Sequence, residues 1–359
     1  MTYRVVAWST GNVGRHALAG IDAHPQLELV GLWVSNPDKV GKDAGDLAGL
    51  RRRLEVTATS DVEELLGLRP DCIVHTAMAD DRLSEAMDDL ARFLRAGVNV
   101  VSSGPVFLQY PHGVVPAEMT DPILEAAVEG DASLWVNGVD PGFANDILPL
   151  MLTSVSERID EVRCYEICDY ATYDNPTVVF DIMGFGKPMD EVPMLLQPGI
   201  LSLAWGSVVR QIAAALDVEL DAELTEQVDR RPAPEDFTID AGEISKGTAA
   251  ALRFQVIGTV NGEPTVVLEH VTRLRADLGP DWPQPAGASC YRVEVKGEPN
   301  YTLDLQLLGT DGDHNTAGLK ATAMRLVNAV PAVVEARPGL LTTMDLPLIT
   351  GRGLVRAGR

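Results

Sequence analysis

Apolar residues over the first 140 or so positions fall in short unbroken runs. Tyr3–Ala7 is one and Leu27–Val34 another, with a helical spacing over Arg15–His24 between them that stops ahead of Pro25. Such runs predict strands buried on both faces, as strands of parallel sheets are. Pro70–Met78 repeats the pattern. Across Asp80–Gly97, Leu83, Met87, Leu90, Phe93 and Leu94 recur at three- and four-residue steps, one face of a helix that Gly97 ends. Val98–Ser103 predicts the next strand, Asp121–Gly130 a helix with Asp121 as N-cap, and Ser133–Val139 one more strand. This alternation predicts an α/β fold with a doubly wound parallel sheet.

After about Pro149 the pattern changes. The stretch IDEVRCYEICDYATYD alternates like a half-exposed strand, and GILSLAWGSVVRQIAAAL is helical. Three strand-like runs follow, ALRFQVIGTVNGEPTVVLEHVTRL, SCYRVEVKGE and YTLDLQLLGT, the first folded on itself at a VNGEP hairpin. They predict an α+β domain built on an antiparallel sheet, suited to substrate binding and dimerisation. DRRPAPEDF and FDIMGFGKP read as loops, and a helix from Thr316 leads into a tail punctuated by glycine and proline. The expected division is residues 1–149, 150–313 and 314–359, the last packing back toward the first.

The turn after the first strand is the first chemical signal. Ser9-x-Gly11-x-x-Gly14 stands where a dinucleotide-binding turn reads G-x-G-x-x-G. The middle glycine lets backbone approach a pyrophosphate, and the last lets helix and strand pack closely. Strand, turn, helix and second strand fit within about thirty residues, the context the motif requires. The N-terminal domain is therefore expected to be of the Rossmann type.

Composition narrows the partners. A net charge of −23 on 359 residues repels nucleic-acid phosphates and anionic membranes, so neither is expected as a partner. Cys72, Cys164, Cys168 and Cys290 form no C-x-x-C pair and read as buried reduced thiols; no metal site is expected. With no leader and no apolar run long enough to span a bilayer, the expected location is cytoplasmic.

The second cofactor handle points to the phosphorylated coenzyme. An Asp or Glu after the second strand would hold a ribose 2′-hydroxyl, but Val34, Ser35 and Asn36 stand there. Ser35 can donate to a 2′-phosphate, Lys39 and Lys42 follow within one short loop, and Arg15 lies just inside the first helix. NADP is the expected cofactor, with NAD as the alternative.

Four segments together carry a resemblance: the glycine turn, NVVSS with its later YP, VNGVDPGFANDILP, and ATAMRLVNAVPAVVEARPGLLTTMDLP. They resemble 2,4-diaminopentanoate dehydrogenase and its relatives, including native amine dehydrogenases and dihydrodipicolinate reductase-like proteins. The paired-histidine motif of dihydrodipicolinate reductase proper is missing. The resemblance implies a Rossmann domain, an α+β substrate domain, a homodimer, and NAD(P)H-dependent chemistry on a small carbonyl, imine or amine. It implies cofactor contacts from Gly11, Asn12, Val13 and Gly14, from Ser35, from Thr76 and Ala77, from Ser102 and Ser103 on the nicotinamide side, and from the turn Asp140, Pro141, Gly142.

One family feature is absent. Amine-forming members carry a glutamate between the VVS strand and the Y-P pair, whereas here the stretch reads VVSSGPVFLQYP, with Pro105, Val106 and Phe107 at that place and no carboxylate. The proton-handling group must then come from elsewhere. Asp140, Glu166, Asp169 and Tyr173 are the candidates, with His112 and His270 as outsiders; His270 reads more readily as a sheet residue than as a base. A strand's period of two puts Glu166 and Cys168 on one face and Asp169 on the other. His314 and Asn315 open the last helix, where amides meet an anion or a carboxamide, and Asn315 is counted among the cofactor contacts. Two other readings stay open: a ketone or enone reductase that does not aminate, and a chain that binds NADP(H) without turnover and senses redox state.

Overall fold

The computed structural model describes residues 1–79 and 82–355, so Asp80, where the sequence starts its helix, lies outside the described residues. The chain forms two units, Met1–Val139 with Leu319 onward, and Asp140–Gly318. The first boundary falls before the segment Asp140–Pro149 rather than after it.

In the first unit β1 (Tyr3–Trp8), β2 (Leu27–Trp33), β3 (Ala58–Thr59), β4 (Cys72–His75), β5 (Asn99–Ser102) and β6 (Ser133–Val136) pair in parallel. Their order is β6-β5-β4-β1-β2-β3, the doubly wound order that reverses beside β1. The helix Asn12–Ala23 buries Ala17, Leu18 and Ile21 against this sheet. The same core takes Leu326, Val327, Val330 and Val333 from the helix His314–Val334. One sequence expectation fails locally. The helix Ala117–Gly130 has Pro116 as its N-cap, so Asp121 lies inside it. Pro122 next to an acidic residue resembles a helix start, yet the helix carries that proline within its second turn.

The second unit contains β7 (Arg158–Asp169), β8 (Thr225–Pro232), a ribbon of β9 (Phe237–Ile239) and β10 (Gly242–Ile244), then β11 (Ala249–Val260), β12 (Glu263–Arg273), β13 (Cys290–Glu298) and β14 (Tyr301–Leu305). The large sheet runs β14-β13-β7-β12-β11-β8. It is mixed, not antiparallel as the sequence suggests, because β7 and β12 pair in parallel. Hairpin patterning is local and shows antiparallel neighbours; the β7–β12 pairing joins distant segments and leaves no such mark. The β11–β12 hairpin turns at Asn261 (φ 54°) and Gly262 (φ 83°), the left-handed pair that a two-residue Asn-Gly turn needs. The helix Ile200–Ala215 packs on β11 and β12, and part of the expected FDIMGFGKP loop is a wide helical turn, Thr177–Ile182.

The C-terminal tail is not wholly irregular. β15 (Gly339–Leu341) adds in parallel beside β6 as a seventh strand of the first sheet. Among the described residues no helix is long and apolar enough to cross a membrane, and all four cysteines are buried and unbridged.

Candidate active site

The first unit gathers its candidate residues at one edge. Trp33, Trp8, His75 and Ser102 end β2, β1, β4 and β5 and are register partners in that order. The chain therefore leaves four strands along a single line, the carboxyl edge where doubly wound sheets bind ligands. Ser9 follows Trp8 with φ 93°, a conformation that favours glycine. The serine thus keeps the shape the first glycine would give, and its hydroxyl accepts the Gly11 amide at 3.3 Å. Gly14 has no room for a side chain: a Cβ would lie 2.4 Å from the Ser9 carbonyl oxygen and 2.9 Å from Thr76 Oγ1. Thr76 braces that side, its amide and hydroxyl each donating to the Trp8 carbonyl at 3.0 Å. Gly11 is the N-cap of the helix Asn12–Ala23, and no acidic residue occupies its first turn. A helix start without a capping side chain, closely approached by backbone, suits a phosphate anion. A dinucleotide pyrophosphate fits this cradle.

The other expected contacts divide. Lys39 is half-buried and donates from Nζ to Thr10 Oγ1 at 2.8 Å, so its charge is tied to the glycine turn. Ser35 and Lys42 are exposed, and Arg15, also exposed, donates to Asn12 Oδ1 at 3.1 Å. Val13 packs against the core, and Ala77 is buried. Ser102 is fully buried; its hydroxyl donates to the Gly104 carbonyl at 2.5 Å and lies 2.9 Å from His75 Nδ1. Ser102 therefore anchors the loop from inside, and Ser103 is the half-buried neighbour. Burial, with the Arg82 charge, pushes the His75 imidazolium down to about 4, so it is a neutral donor to that hydroxyl. Pro141, Gly142 and Asn315 belong to the second unit. Gly142 donates its amide to Asn145 Oδ1 at 2.8 Å. Asn315 spends both amide hydrogens on the Asp169 carbonyl (3.0 Å) and Thr172 Oγ1 (2.8 Å), while Asp313 caps the helix, accepting the amides of Asn315 and Thr316. Asn315 is thus a brace of the second unit.

The second unit assembles its own cluster. Phe254, His270, Glu166 and Tyr291 are register partners across β11, β12, β7 and β13, so one lateral row carries all four on the same face. Asp140 reaches His270 from the first turn of the unit: its Oδ1 lies 3.2 Å from His270 Nε2 and accepts Trp205 Nε1 at 3.0 Å. Glu166 Oε1 lies 3.8 Å from His270 Nδ1 and accepts the Tyr170 hydroxyl at 2.8 Å. The side chains of Asp140, His270 and Glu166 are 2%, 6% and 7% exposed, so these charges interact in a nearly dry setting. Burial pushes Glu166 up to about 7, and the Asp140 charge adds to it against the lowering pull of His270 and Tyr170. Burial alone would lower His270, but the charge and hydrogen bond of Asp140, with Glu166, hold the imidazolium above its ordinary value. The donor atoms of the three residues lie within 4.8 Å of one another. Asp140 Oδ1 and Glu166 Oε1 each accept a hydrogen bond, which holds both carboxylates in place beside the imidazole.

Of the sequence candidates, Asp140 and Glu166 meet here, Tyr173 stands beside them through Tyr170, and Asp169 faces away. Asp169 turns its carboxylate to the Ala171 amide at 2.8 Å, on the other side of the strand as its spacing predicts. Tyr173 stacks on Tyr170 with ring centroids 4.8 Å apart. His270, read as a sheet residue, is in the sheet and also at the centre of the cluster. Tyr170, Trp205 and Phe254 were not singled out; only YEICDY carried a hint, since Tyr170 stands four residues from Glu166 at a strand end.

Comparison with known proteins gives consistent relatives. Residues 143–355 match the family model of the 2,4-diaminopentanoate dehydrogenase C-terminal domain. An amine dehydrogenase of Streptomyces virginiae is 46% identical over 359 residues, 99% of this chain and 98% of that one. The 2,4-diaminopentanoate dehydrogenase of Acetoanaerobium sticklandii is 24% identical over 302 residues, 81% and 80% of the two chains. Among solved structures, an amine dehydrogenase from Mycobacterium smegmatis superposes with a TM-score of 0.79 at 22% identity, covering 98% and 97%, which shows the shared fold.

Proposed function

The chain belongs to the 2,4-diaminopentanoate dehydrogenase family, and from that premise we propose that it interconverts a small amine and its ketone with NADP(H), using Glu166 to carry the proton. It is a nicotinamide-dependent oxidoreductase acting on a small molecule. The bound nicotinamide supplies or accepts the hydride. What the chain itself must supply is binding, orientation and proton transfer.

The observation that carries this reading is the buried Glu166, held between His270 and the Tyr170 hydroxyl and pushed up to about 7 by burial. In the aminating direction ammonia adds to the ketone, and the resulting carbinolamine loses water. The nitrogen lone pair forms the C=N bond as the C–O bond breaks, and the leaving hydroxyl takes a proton from Glu166. In the oxidative direction the carboxylate takes a proton from the attacking water. A group titrating near neutral pH serves both directions, since neither protonation state is scarce. Asp140 holds His270, whose charge, with the Tyr170 hydroxyl, pulls Glu166 back against the rise that burial gives it. Tyr170, Tyr173 and Trp205 are half-buried aromatic neighbours of the two carboxylates, which suits a small apolar substrate.

The preference for NADP rests on the missing carboxylate after β2 and on Lys39, tied to the glycine turn. The homodimer expected from the resemblance is part of this reading, and light scattering on the purified protein measures it directly. The decisive experiment for the reaction follows NADPH absorbance over a panel of small ketones with and without ammonia. Consumption that requires ammonia supports amination. Equal consumption without ammonia replaces it by simple carbonyl reduction, and none across the panel leaves a binding protein.

A further inference from the structure

Glu166 and His270 are faced by a definable set of groups. Cys168 lies on the same strand, Tyr291 on β13, Tyr170 and Tyr173 on the turn after β7, and Asp140 at the start of the unit. From the opposite face of the sheet Glu269 adds its charge to His270. The thiol of Cys168 and the hydroxyls of Tyr170 and Tyr291 are pushed up by burial and by the Glu166 charge, so they stay neutral through the working range. The groups left to exchange protons are Glu166 and His270.

The imidazole is clamped. Its ring stacks on Phe254 at 4.7 Å and 9°, and Trp205 meets it edge-on at 4.6 Å. With Nε2 on Asp140, the ring presents Nδ1 to Glu166, at 3.8 Å. That gap exceeds a hydrogen bond, so His270 does not lock the Glu166 proton in place. The remaining control lies with two neutral donors. Each gives to a carboxylate oxygen that His270 also faces: Tyr170 to Glu166 Oε1 at 2.8 Å, and Trp205 Nε1 to Asp140 Oδ1 at 3.0 Å.

Resting on the reading of Glu166 as proton carrier, we infer that Tyr170 and Trp205 are positioning residues with separate tasks: the Tyr170 hydroxyl sets when Glu166 ionises, and the Trp205 N–H sets when His270 lets go of its proton. A neutral donor stabilises a carboxylate without adding charge. Losing the Tyr170 hydroxyl makes the Glu166 carboxylate less favourable, so that step moves to higher pH. The Trp205 N–H competes with the imidazolium for one Asp140 oxygen. Losing it leaves that oxygen wholly to His270, so the imidazolium persists to higher pH. The two steps belong to a coupled pair, with Glu166 dominating the acidic one and His270 the basic one.

The test uses Tyr170→Phe and Trp205→Phe, which keep aromatic rings at both places. The pH profile of kcat/KM is recorded for each in the direction of amine oxidation, where Glu166 must be ionised, together with the His270 imidazole resonance in the cofactor-free protein, assigned with His270→Asn. Tyr170→Phe is expected to raise the acidic limb by about half to one pH unit, a three- to tenfold change in proton affinity, and to leave the basic limb in place. Trp205→Phe is expected to raise the basic limb and the main His270 midpoint by a similar amount. Unmoved midpoints in the cofactor-free protein, or the same limb moved by both variants, overturn the assignment. Should Trp205→Phe not fold, Tyr170→Phe alone decides, because a residue that merely packs leaves the profile of its Phe variant unchanged. The reading of Glu166 fails differently: Glu166→Gln then retains turnover, while the main His270 midpoint still responds to Trp205→Phe.

Discussion

Glu166→Gln lowers kcat by about two to three orders of magnitude while the affinity for NADPH stays at the wild-type level. The range is what a positioned acid or base contributes to such reactions. The amide has the shape of the acid and can accept the Tyr170 hydroxyl at the same place, so little else in the cluster changes. It cannot release or take up a proton, and that alone is removed. Coenzyme affinity is expected to hold because the glycine turn and Lys39 belong to the other unit. Steady-state rates and a coenzyme fluorescence titration on one preparation check both halves. A kcat within a few-fold of wild type would sink the role of Glu166. A fall in both quantities would instead indicate damage to the fold. Thermal unfolding adds a control with a definite sign. Glu166 is raised from its ordinary 4.5 to about 7, so between those values the folded chain keeps a proton that the unfolded chain has released. Its contribution to stability therefore falls as pH rises through that window. The glutamine variant has no such loss, so relative to wild type it gains stability from about pH 4.5 to 7 while losing activity.

The two units differ in how much of this the sequence could carry. The first unit is written locally: each buried run of four to seven residues is a strand, each helical spacing lies between two of them, and the parallel order follows from the alternation. Its misses are β3 and β15, two and three residues long, too short to show a period. In the second unit the strands were legible and their neighbours were not. Glu166 and His270 share a row only because β7 pairs in parallel with β12, and Asp140 reaches His270 from 130 positions away in the chain. Period-two spacing told which face Glu166 shares with Cys168, and no pattern in β7 could tell which residue stands beside it on the next strand. Asn315 shows a different limit of the sequence. A polar residue at a helix start looks available to a ligand, but Asp313 two places earlier takes the cap and frees Asn315 to brace the Asp169 carbonyl.

Lys39→Ala weakens NADPH binding by about ten- to a hundredfold and leaves NADH binding near wild type. The estimate is the loss of one charge-assisted contact to a phosphate, about 1.5–3 kcal/mol. Parallel fluorescence titrations with the two coenzymes measure it. The chain carries a net charge of −23, so its overall field repels a 2′-phosphate and a local cation has to offset that repulsion. Lys39 is suited to this because its ammonium is tethered to Thr10, one residue past Ser9 and one before Gly11. Lys42 is exposed and none of its side-chain contacts ties it to the turn, so Lys42→Ala is expected to change little. Equal weakening of both coenzymes would mean that Lys39 supports the turn through Thr10. Unchanged NADPH binding would remove Lys39 from the site and leave Ser35 and Arg15 as the remaining donors. The turn itself constrains the interpretation. Ser9 already holds a conformation that favours glycine, with its hydroxyl engaged by the Gly11 amide, and Gly14 has a carbonyl oxygen 2.4 Å from where a Cβ would stand. Substitutions there alter backbone that both coenzymes would use. Lys39 acts through a side chain laid over that backbone, which is why its removal separates recognition of the extra phosphate from binding of the dinucleotide.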